Sequence, residues 1–201
     1  MTAAAIFFIV LAYLIGGIPV GVLVARSKGV NLFEVGSGNI GATNVVRALG
    51  FKWGLVTWLG DTLKGLVAVL IARMAGQPEA VLAAAGAAAV TGHCCSPYLC
   101  LRGGRGIATS LGVLLATDWR VGLGAFAVWI VVVLARRIVS LASLAAAASL
   151  IPLSLLWHDT PPMILMVSYL TCLGFIRHYP NIDRLLRGEE KPIGSRRSKK
   201  Q

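Results

Sequence analysis

Residues 3–25 read AAAIFFIVLAYLIGGIPVGVLVA, a run without a single charged side chain. In lipid, backbone N–H and C=O groups must be satisfied within the spanning structure, and only α-helices and closed barrels achieve this. A barrel strand takes about ten residues, so this longer run predicts a transmembrane helix. No Lys or Arg precedes it, which argues against a cleaved signal peptide. We therefore expect a retained first span.

The rest of the chain repeats this pattern. Of its 201 residues, 57% are hydrophobic and 13% are charged, whereas soluble domains carry roughly 25% charged residues. We predict an all-α polytopic membrane protein with about seven transmembrane helices in one domain, residues 1–201. The fourth span would rise only about 18 Å, so we expect it to enter obliquely or as a half-helix. The predicted spans are 3–25, 53–75, 79–96, 106–117, 120–136, 139–157 and 161–176.

The positions of Lys and Arg predict the orientation in the membrane. With the N terminus outside, all of these residues except Lys64, Arg73 and Arg120 fall on the cytoplasmic side, as the positive-inside rule requires. The C terminus is then cytoplasmic. The net charge of +11 clusters at the edges of apolar runs, which favours membrane lipid and phosphorylated metabolites as partners and argues against nucleic acid. The basic tail Gly194–Gln201 is predicted to be flexible and attracted to anionic lipid.

Residues 36–44, GSGNIGATN, form a glycine-rich stretch on the predicted cytoplasmic face. The stretch matches the spacing of a dinucleotide-binding fingerprint but does not predict a dinucleotide site. That fingerprint needs a strand before it and a βαβ unit around it, and here the flanking runs are predicted spans. Glycines allow close backbone approach, so the stretch predicts a phosphate cradle; the alternative is a purely structural loop. Arg47 follows as a planar fork suited to phosphate, or as a headgroup-snorkelling side chain. The candidate substrate-binding residues are Gly36, Gly38, Asn39, Gly41, Thr43, Asn44 and Arg47, with Ser37 a further neutral donor.

A second stretch, Gly103, Gly104, Arg105 and Gly106, lies directly before the short fourth span. Free N–H groups and the positive end of a helix dipole meet a guanidinium here, which predicts a second anion-binding site. The spacing of a Walker A loop is absent. The alternative is a flexible cytoplasmic hairpin that carries one positive-inside arginine.

Asp61 and Lys64 are three residues apart and therefore share one face of the second predicted span. Charges within a span are costly and are functional candidates by default; alternatively the two residues neutralise each other and dock helices. A functional pair would favour a transporter or exchanger of a phosphorylated metabolite, since coupled transport uses intramembrane charges. Against transport, no inverted repeat is visible, and the glycine-rich stretches sit at one surface.

Two histidines, His93 and His178, lie near the predicted cytoplasmic face. His178 precedes Asn181 on a short amphipathic segment, within reach of a phosphate held by Arg47 or Arg105. It is a candidate base, although a histidine beside Arg177 is more often a surface charge. The four cysteines lack C-x-x-C pairing, so we predict neither a metal site nor a cofactor.

Four segments of the chain together resemble the bacterial membrane acyl-phosphate:glycerol-3-phosphate acyltransferase family. The matching text is GSGNIGATNVVRALG from residue 36, DTLKG from residue 61, GH and GGRGIAT within 92–109, and RHYPNIDRLLRGEEKPIG from residue 177. The resemblance spans nearly the whole chain. It implies family site residues at Ser37, Asn39, Thr43, Arg47, Arg105, Ser143, His178 and Asn181.

The resemblance implies an enzyme of the bacterial inner membrane with its active site on the cytoplasmic face. The enzyme would transfer an acyl group from acyl phosphate to the 1-hydroxyl of sn-glycerol 3-phosphate, giving lysophosphatidate for phospholipid synthesis. Ser37, His178 and Asn181 are then the candidate catalytic residues, and Ser143 binds substrate. Two positions depart from the family pattern: Arg105 replaces a lysine, and the stretch 94–98, CCSPY, lacks the expected aromatic-proline pattern.

Overall fold

A computed structural model describes residues 2–157, 159–190 and 192–193, and these residues form helices and loops without a strand. The tail Gly194–Gln201 lies outside the described residues. Within these described ranges ten α-helices follow one another, with a short 3-10 turn at Pro97–Leu99 between the fifth and sixth. They are α1 Ala3–Gly17, α2 Val20–Arg26, α3 Ala42–Leu49, α4 Phe51–Met74, α5 Glu79–Cys94, α6 Ile107–Thr117, α7 Trp119–Arg136, α8 Val139–Leu156, α9 Pro161–Arg177 and α10 Tyr179–Leu186.

The predicted all-α membrane architecture is confirmed. Five segments of the described chain are long and apolar enough to cross a membrane, and α6 and α9 are shorter apolar helices. The short fourth span corresponds to α6, whose 11 residues reach only about 16 Å at ~1.5 Å per residue. The count of seven crossings and the orientation of the termini stay predictions.

The first span is not one continuous helix. Pro19 separates α1 from α2, because proline has no N–H to donate and its ring obstructs the preceding turn. The Ile18 carbonyl at this break accepts a hydrogen bond from Lys64 Nζ at 2.7 Å. The break therefore places a backbone acceptor in the interior of the bundle.

The sequence predicted only one of the two short amphipathic helices, α3 and α10. α10 coincides with the predicted amphipathic segment after the last span, whereas α3 was not predicted. The end of the first glycine-rich stretch is thus helical, since Thr43 and Asn44 belong to the first turn of α3. Gly41 is the N-cap residue, with the extended backbone (φ −76°, ψ 163°) that precedes a helix.

Small residues let the spanning helices approach closely, which is how helix packing proceeds where lipid removes much of the hydrophobic driving force. The backbone of α5 at Gly92 lies against Tyr13 of α1, and that of α6 at Gly112 lies against Thr62 of α4. A side chain at either glycine would strike the neighbouring backbone. Because successive spans alternate in direction, this packing brings both glycine-rich stretches to one end of the bundle.

Candidate functional site

The first glycine-rich loop is held together by Asn44, which is 1% exposed. Its amide oxygen accepts a hydrogen bond from Ser37 N at 2.9 Å. Its amide nitrogen donates to the carbonyls of Leu32 at 3.2 Å and Val35 at 3.0 Å. Through these contacts Asn44 stabilises the shape of the loop. A contact between Asn44 and substrate stays a prediction.

Two glycines and one asparagine complete the shape of this loop. Gly36 and Gly38 have positive φ angles of 61° and 68°, where a side chain is strained. A Cβ at Gly36 would also collide with the Asn44 amide oxygen. Asn39 Oδ1 accepts a hydrogen bond from Gly41 N at 2.8 Å, which forms a local turn of the kind that asparagine favours.

Around this scaffold, the predicted ligand groups face outward. Ser37 and Arg47 are exposed, and Thr43 is half-buried. The Arg47 side chain folds back over the loop, with its Cδ 3.8 Å from the position that a Cβ at Gly36 would occupy. The aliphatic part of Arg47 therefore lies beside the glycine turn, and its role as a phosphate ligand stays a prediction.

The second loop is anchored by His93, which is near it in the sequence, and by Arg177, which is distant. Gly104 N donates to the carbonyl of His93 at 3.0 Å. From another element, Arg177 Nε donates to Gly104 O at 3.0 Å and Arg177 Nη2 donates to Gly103 O at 2.9 Å. Gly103 packs directly on the carbonyl groups of His93 and Cys94, which leaves no room for a side chain.

Gly106 closes this loop and starts α6. Its φ of 84° is left-handed, and no side chain caps the helix. The first N–H groups of a helix have no intrahelical partner and carry the positive end of its dipole. The predicted arrangement of a glycine turn leading into the N terminus of a short helix is therefore present, with Arg105 immediately before it.

Arg105 lies at the centre of a positive region. Among the described residues it has neither a hydrogen-bond partner nor an ion-pair partner. Burial lowers the pKa of its guanidinium to about 10, Glu190 opposes that shift, and Arg184, Arg47 and Arg177 lower it further. Arg105 therefore remains protonated at neutral pH and lies close enough to Arg47 for their charges to interact. The two loops thus present their cations to one region.

His178 is buried, with 1% of its surface exposed. Its Nδ1 lies 2.8 Å from Gly174 O, and because a carbonyl only accepts, Nδ1 carries the proton of the neutral ring. Burial lowers the pKa of His178 to about 4; the Gly174 hydrogen bond and Glu190 oppose this, and Arg105 adds to it. His178 is thus neutral at pH 7 with an unprotonated Nε2.

Asn181 is held by a carboxylate that the sequence did not single out, Glu190. Glu190 Oε1 accepts from Asn181 Nδ2 at 2.6 Å and from Ser140 Oγ at 2.7 Å, and Oε2 accepts from Arg184 Nε at 2.6 Å. Burial raises the pKa of Glu190, but the hydrogen bonds from Ser140, Arg184 and Asn181 outweigh it, so the net shift is downward. Asn181 Oδ1 is buried without a partner among the described residues.

A cleft lies between α4 and the helices α5 to α9. Its volume, with the space at its opening included, is about 610 Å³. Arg105 is its only charged lining residue among those described, beside Gly174, to which His178 is bonded. Ser143 lies just beyond it and accepts a hydrogen bond from the lining residue Trp129 at 3.3 Å. The apolar lining includes Trp58, Leu114, Phe126, Trp129, Leu150 and Leu170.

Asp61 and Lys64 form the intramembrane pair that their spacing predicts. Lys64 Nζ lies 2.8 Å from Asp61 Oδ1, and both side chains are buried. Neither lines the apolar cleft. The third member of this cluster is His93, whose Nδ1 is 2.9 Å from Lys64 Nζ. The pair lies behind the second loop, away from the cleft.

The structure therefore brings Arg47, Arg105, His178 and Asn181 to one end of the bundle, and it adds residues that the sequence analysis did not select. Arg177 was treated only as a neighbour of His178, and Glu190 only as part of a matching stretch. A lone acidic pair in a basic segment, GEEK, was the available signal for Glu190. Within the described ranges, no group of three or more His, Cys, Asp or Glu residues is placed to hold a metal ion.

Comparisons with known proteins identify the family of the chain. The family model for glycerol-3-phosphate acyltransferase matches residues 6–188. A glycerol-3-phosphate acyltransferase of Desulforudis audaxviator is 45% identical over 98% of this chain and 100% of its own length. A counterpart in Caulobacter vibrioides is 44% identical over 94% of this chain and 88% of its own.

Two solved structures share the fold. A crystal structure of PlsY (YgiH), an integral membrane glycerol 3-phosphate acyltransferase in its glycerol 3-phosphate form, superposes with a TM-score of 0.92 at 40% identity, covering 96% of both chains. The lysophosphatidic acid form of the same protein superposes with a TM-score of 0.90 at 39% identity, again over 96% of both chains.

Proposed function

Because the chain belongs to the glycerol-3-phosphate acyltransferase family, we propose that it transfers an acyl group from acyl phosphate to the 1-hydroxyl of sn-glycerol 3-phosphate. The products are 1-acylglycerol 3-phosphate, which is lysophosphatidate, and inorganic phosphate. The reaction would be the first acylation of phospholipid synthesis. The solved relative was crystallised in a glycerol 3-phosphate form and a lysophosphatidic acid form, which supports the acceptor and the product.

One observation carries the choice of donor: among the described residues that line a largely apolar cleft, Arg105 is the single charged one. Such a cleft suits an amphiphile with a long hydrocarbon tail and a compact anionic head. An acyl phosphate has this shape, and its phosphate is a good leaving group once its charge is matched. Arg105 would bind that head, and its planar fork can make two parallel hydrogen bonds to phosphate oxygens.

The reaction then needs alignment more than chemical assistance. The glycerol 1-oxygen forms a bond to the acyl carbon, the bond from that carbon to the phosphate oxygen breaks, and inorganic phosphate leaves. Arg47 and Arg105 would hold the two anionic reactants near each other, and such positioning lowers the barrier substantially. Ser37 and the loop N–H groups would stabilise charge on the reacting carbonyl or phosphate. Asn181 Oδ1, which is unpartnered among the described residues, would accept a hydrogen bond from the glycerol.

The hydroxyl proton has two candidate acceptors, His178 Nε2 and an oxygen of a substrate phosphate. The unprotonated Nε2 can orient the hydroxyl, but a pKa of about 4 makes this histidine a weak base at neutral pH, because general bases work best near the operating pH. A phosphate oxygen, with a second pKa of about 6, is the stronger proton acceptor of the two. We therefore assign His178 to orientation of the nucleophile.

We place this site on the cytoplasmic face of the bacterial inner membrane. The distribution of Lys and Arg supports this orientation, and both glycine-rich loops lie at the end of the bundle to which it assigns the cytoplasm. The acyl tail would lie between helices at membrane depth. Glycerol 3-phosphate would enter from the aqueous side.

The deciding assay uses the purified full chain with palmitoyl phosphate and labelled glycerol 3-phosphate, scored for lysophosphatidate and released phosphate. We expect equal amounts of both products, with no product when palmitoyl-CoA replaces palmitoyl phosphate. Product from the thioester alone would refute the acyl phosphate donor. Uptake of labelled glycerol 3-phosphate into vesicles without acylation would instead favour the rival transporter.

A further inference from the structure

The intramembrane ion pair has no role in the chemistry described above, yet its contacts are specific. Lys64 Nζ lies 2.8 Å from Asp61 Oδ1, 2.7 Å from Ile18 O and 2.9 Å from His93 Nδ1. The contact with Asp61 is an ion pair, and the contacts with Ile18 O and His93 Nδ1 are hydrogen bonds that the ammonium donates. The pair is therefore locked to two other elements of the bundle, the break in the first span and the end of α5.

This arrangement decides the tautomer of His93. His93 Nδ1 lies 2.9 Å from Lys64 Nζ and 3.5 Å from Asp61 Oδ1. The shorter contact is with an ammonium, which only donates, so we assign the acceptor role to Nδ1 and the ring proton to Nε2. The Nε2 side of the ring faces Gly104: a Cβ added there would lie 2.8 Å from His93 Cε1 and 3.0 Å from Cδ2, and would strike Nε2. The main-chain carbonyl of His93 also accepts a hydrogen bond from Gly104 N at 3.0 Å.

His93 thus supports the second loop twice, with its ring and with its carbonyl, and Arg177 engages the loop through the carbonyls of Gly103 and Gly104. The turn is fixed between these two residues. Its next residues are Arg105 and Gly106, which carry the guanidinium and open α6. A displacement of His93 would therefore be passed directly to the anion-binding groups.

We propose that the buried triad of Asp61, Lys64 and His93 positions the Gly103–Gly104 turn and thereby sets the affinity of the second loop for a substrate phosphate. The inference rests on the proposed acyltransferase function for its kinetic test. It assigns the intramembrane charges to positioning and gives them no part in transport. The triad is absent from the lining of the cleft, as this role requires.

The test compares three substitutions on α5 in the purified full chain. His93→Leu removes the acceptor for Lys64 but leaves the ion pair with Asp61, so the chain should still fold. His93→Asn places an amide oxygen near the position of Nδ1 and restores that hydrogen bond. Thr91→Val is the matched control. Thr91 lies on the same helix as His93 but away from the second loop, and the substitution removes its hydrogen bond to Tyr169 of α9.

We expect His93→Leu to raise KM for at least one of the two substrates about tenfold while kcat falls less than about threefold. His93→Asn should lie closer to the unsubstituted enzyme, and Thr91→Val should match it. If both KM values of His93→Leu stay within about twofold, or if Thr91→Val shifts them equally, the proposal is wrong.

Amide hydrogen exchange supplies a readout that does not depend on activity. In His93→Leu, the amides of residues 103–106 should exchange at least about tenfold faster, while those of residues 36–44 are unchanged. Unchanged exchange in both loops overturns the positioning role even if the chain proves to be the proposed acyltransferase. Faster exchange in the second loop alone supports it even if the donor is not acyl phosphate.

Discussion

The two glycine-rich loops present similar groups, glycine turns beside an arginine, but they are stabilised in different ways. The first is shaped from within its own neighbourhood, since Asn44 binds Ser37 N and two carbonyls no more than 12 residues away. The second also has a nearby partner, His93, but it depends in addition on Arg177, which is 73 and 74 residues from the glycines that it contacts.

This difference has a physical consequence. A locally stabilised loop keeps its shape when distant helices shift, because the groups that satisfy its backbone move with it. A loop anchored by separate helices has the geometry of the whole bundle imposed on it, so a change in packing alters its affinity. We expect the second loop to be the more sensitive of the two to substitutions that do not touch substrate.

The largest effect should follow removal of the arginines. Arg105→Ala and Arg47→Ala should each lower kcat/KM at least about a hundredfold, roughly 2.7 kcal/mol. Arg105 should show the larger loss, because it is half-buried at the apolar cleft and Arg47 is exposed. The exposed Arg102→Ala serves as the control for charge alone. Steady-state kinetics decide the matter, and near-normal turnover in either variant would refute its assigned role.

Glycine substitutions compare the two loops directly. Gly104→Ala should lower kcat/KM about thirtyfold, because the new methyl group would strike the His93 ring and shift the turn. Gly41→Ala in the first loop should cost much less, since its Cβ would lie 3.2 Å from the movable Asn39 Oδ1 and its φ of −76° suits alanine. Equal losses in the two variants would contradict the difference in anchoring.

Asn44→Ala tests the local support of the first loop. The substitution removes the Asn44 contacts to Ser37 N and to the carbonyls of Leu32 and Val35. Leu32 is buried, and a buried polar group left unpaired costs about 1–3 kcal/mol. We expect roughly tenfold lower kcat/KM with faster hydrogen exchange confined to residues 32–38. Exchange that also rises at residues 103–106 would show that the loops are not independently supported.

The last prediction concerns the pH dependence of folding stability at His178 and leaves catalysis aside. The pKa of His178 is about 4 in the folded chain, lowered from 6.5, so the unfolded chain binds more protons between these values. Stability should therefore fall as the pH drops from about 6.5 toward 4, by up to about 3 kcal/mol. Thermal unfolding at pH 7 and pH 5 should show a smaller loss for His178→Gln. An identical pH dependence in both proteins would exclude this role of the histidine.

Several parts of the fold were accessible from local patterns. Residues 3–25 and 139–157 were predicted as spans because an apolar run in lipid has few alternatives to a helix. The short helix α6 was predicted from the small number of residues in its apolar run. The helix α3 was missed because glycines and neutral donors dominate its start and obscure its periodicity. The break at Pro19 lay inside a predicted span, where hydropathy alone gives no signal.

The helical membrane class, the two glycine-rich turns and the shared face of Asp61 and Lys64 could be predicted before folding, because each depends on hydropathy, spacing or backbone freedom within one segment. The contacts of Lys64 with His93, of Arg177 with the second loop and of Glu190 with Asn181 are seen only in the packed bundle. These partners lie on different elements, and a side chain of Lys, Arg or Glu carries no local signal for which distant group it will meet. Packing of the helices selects that partner.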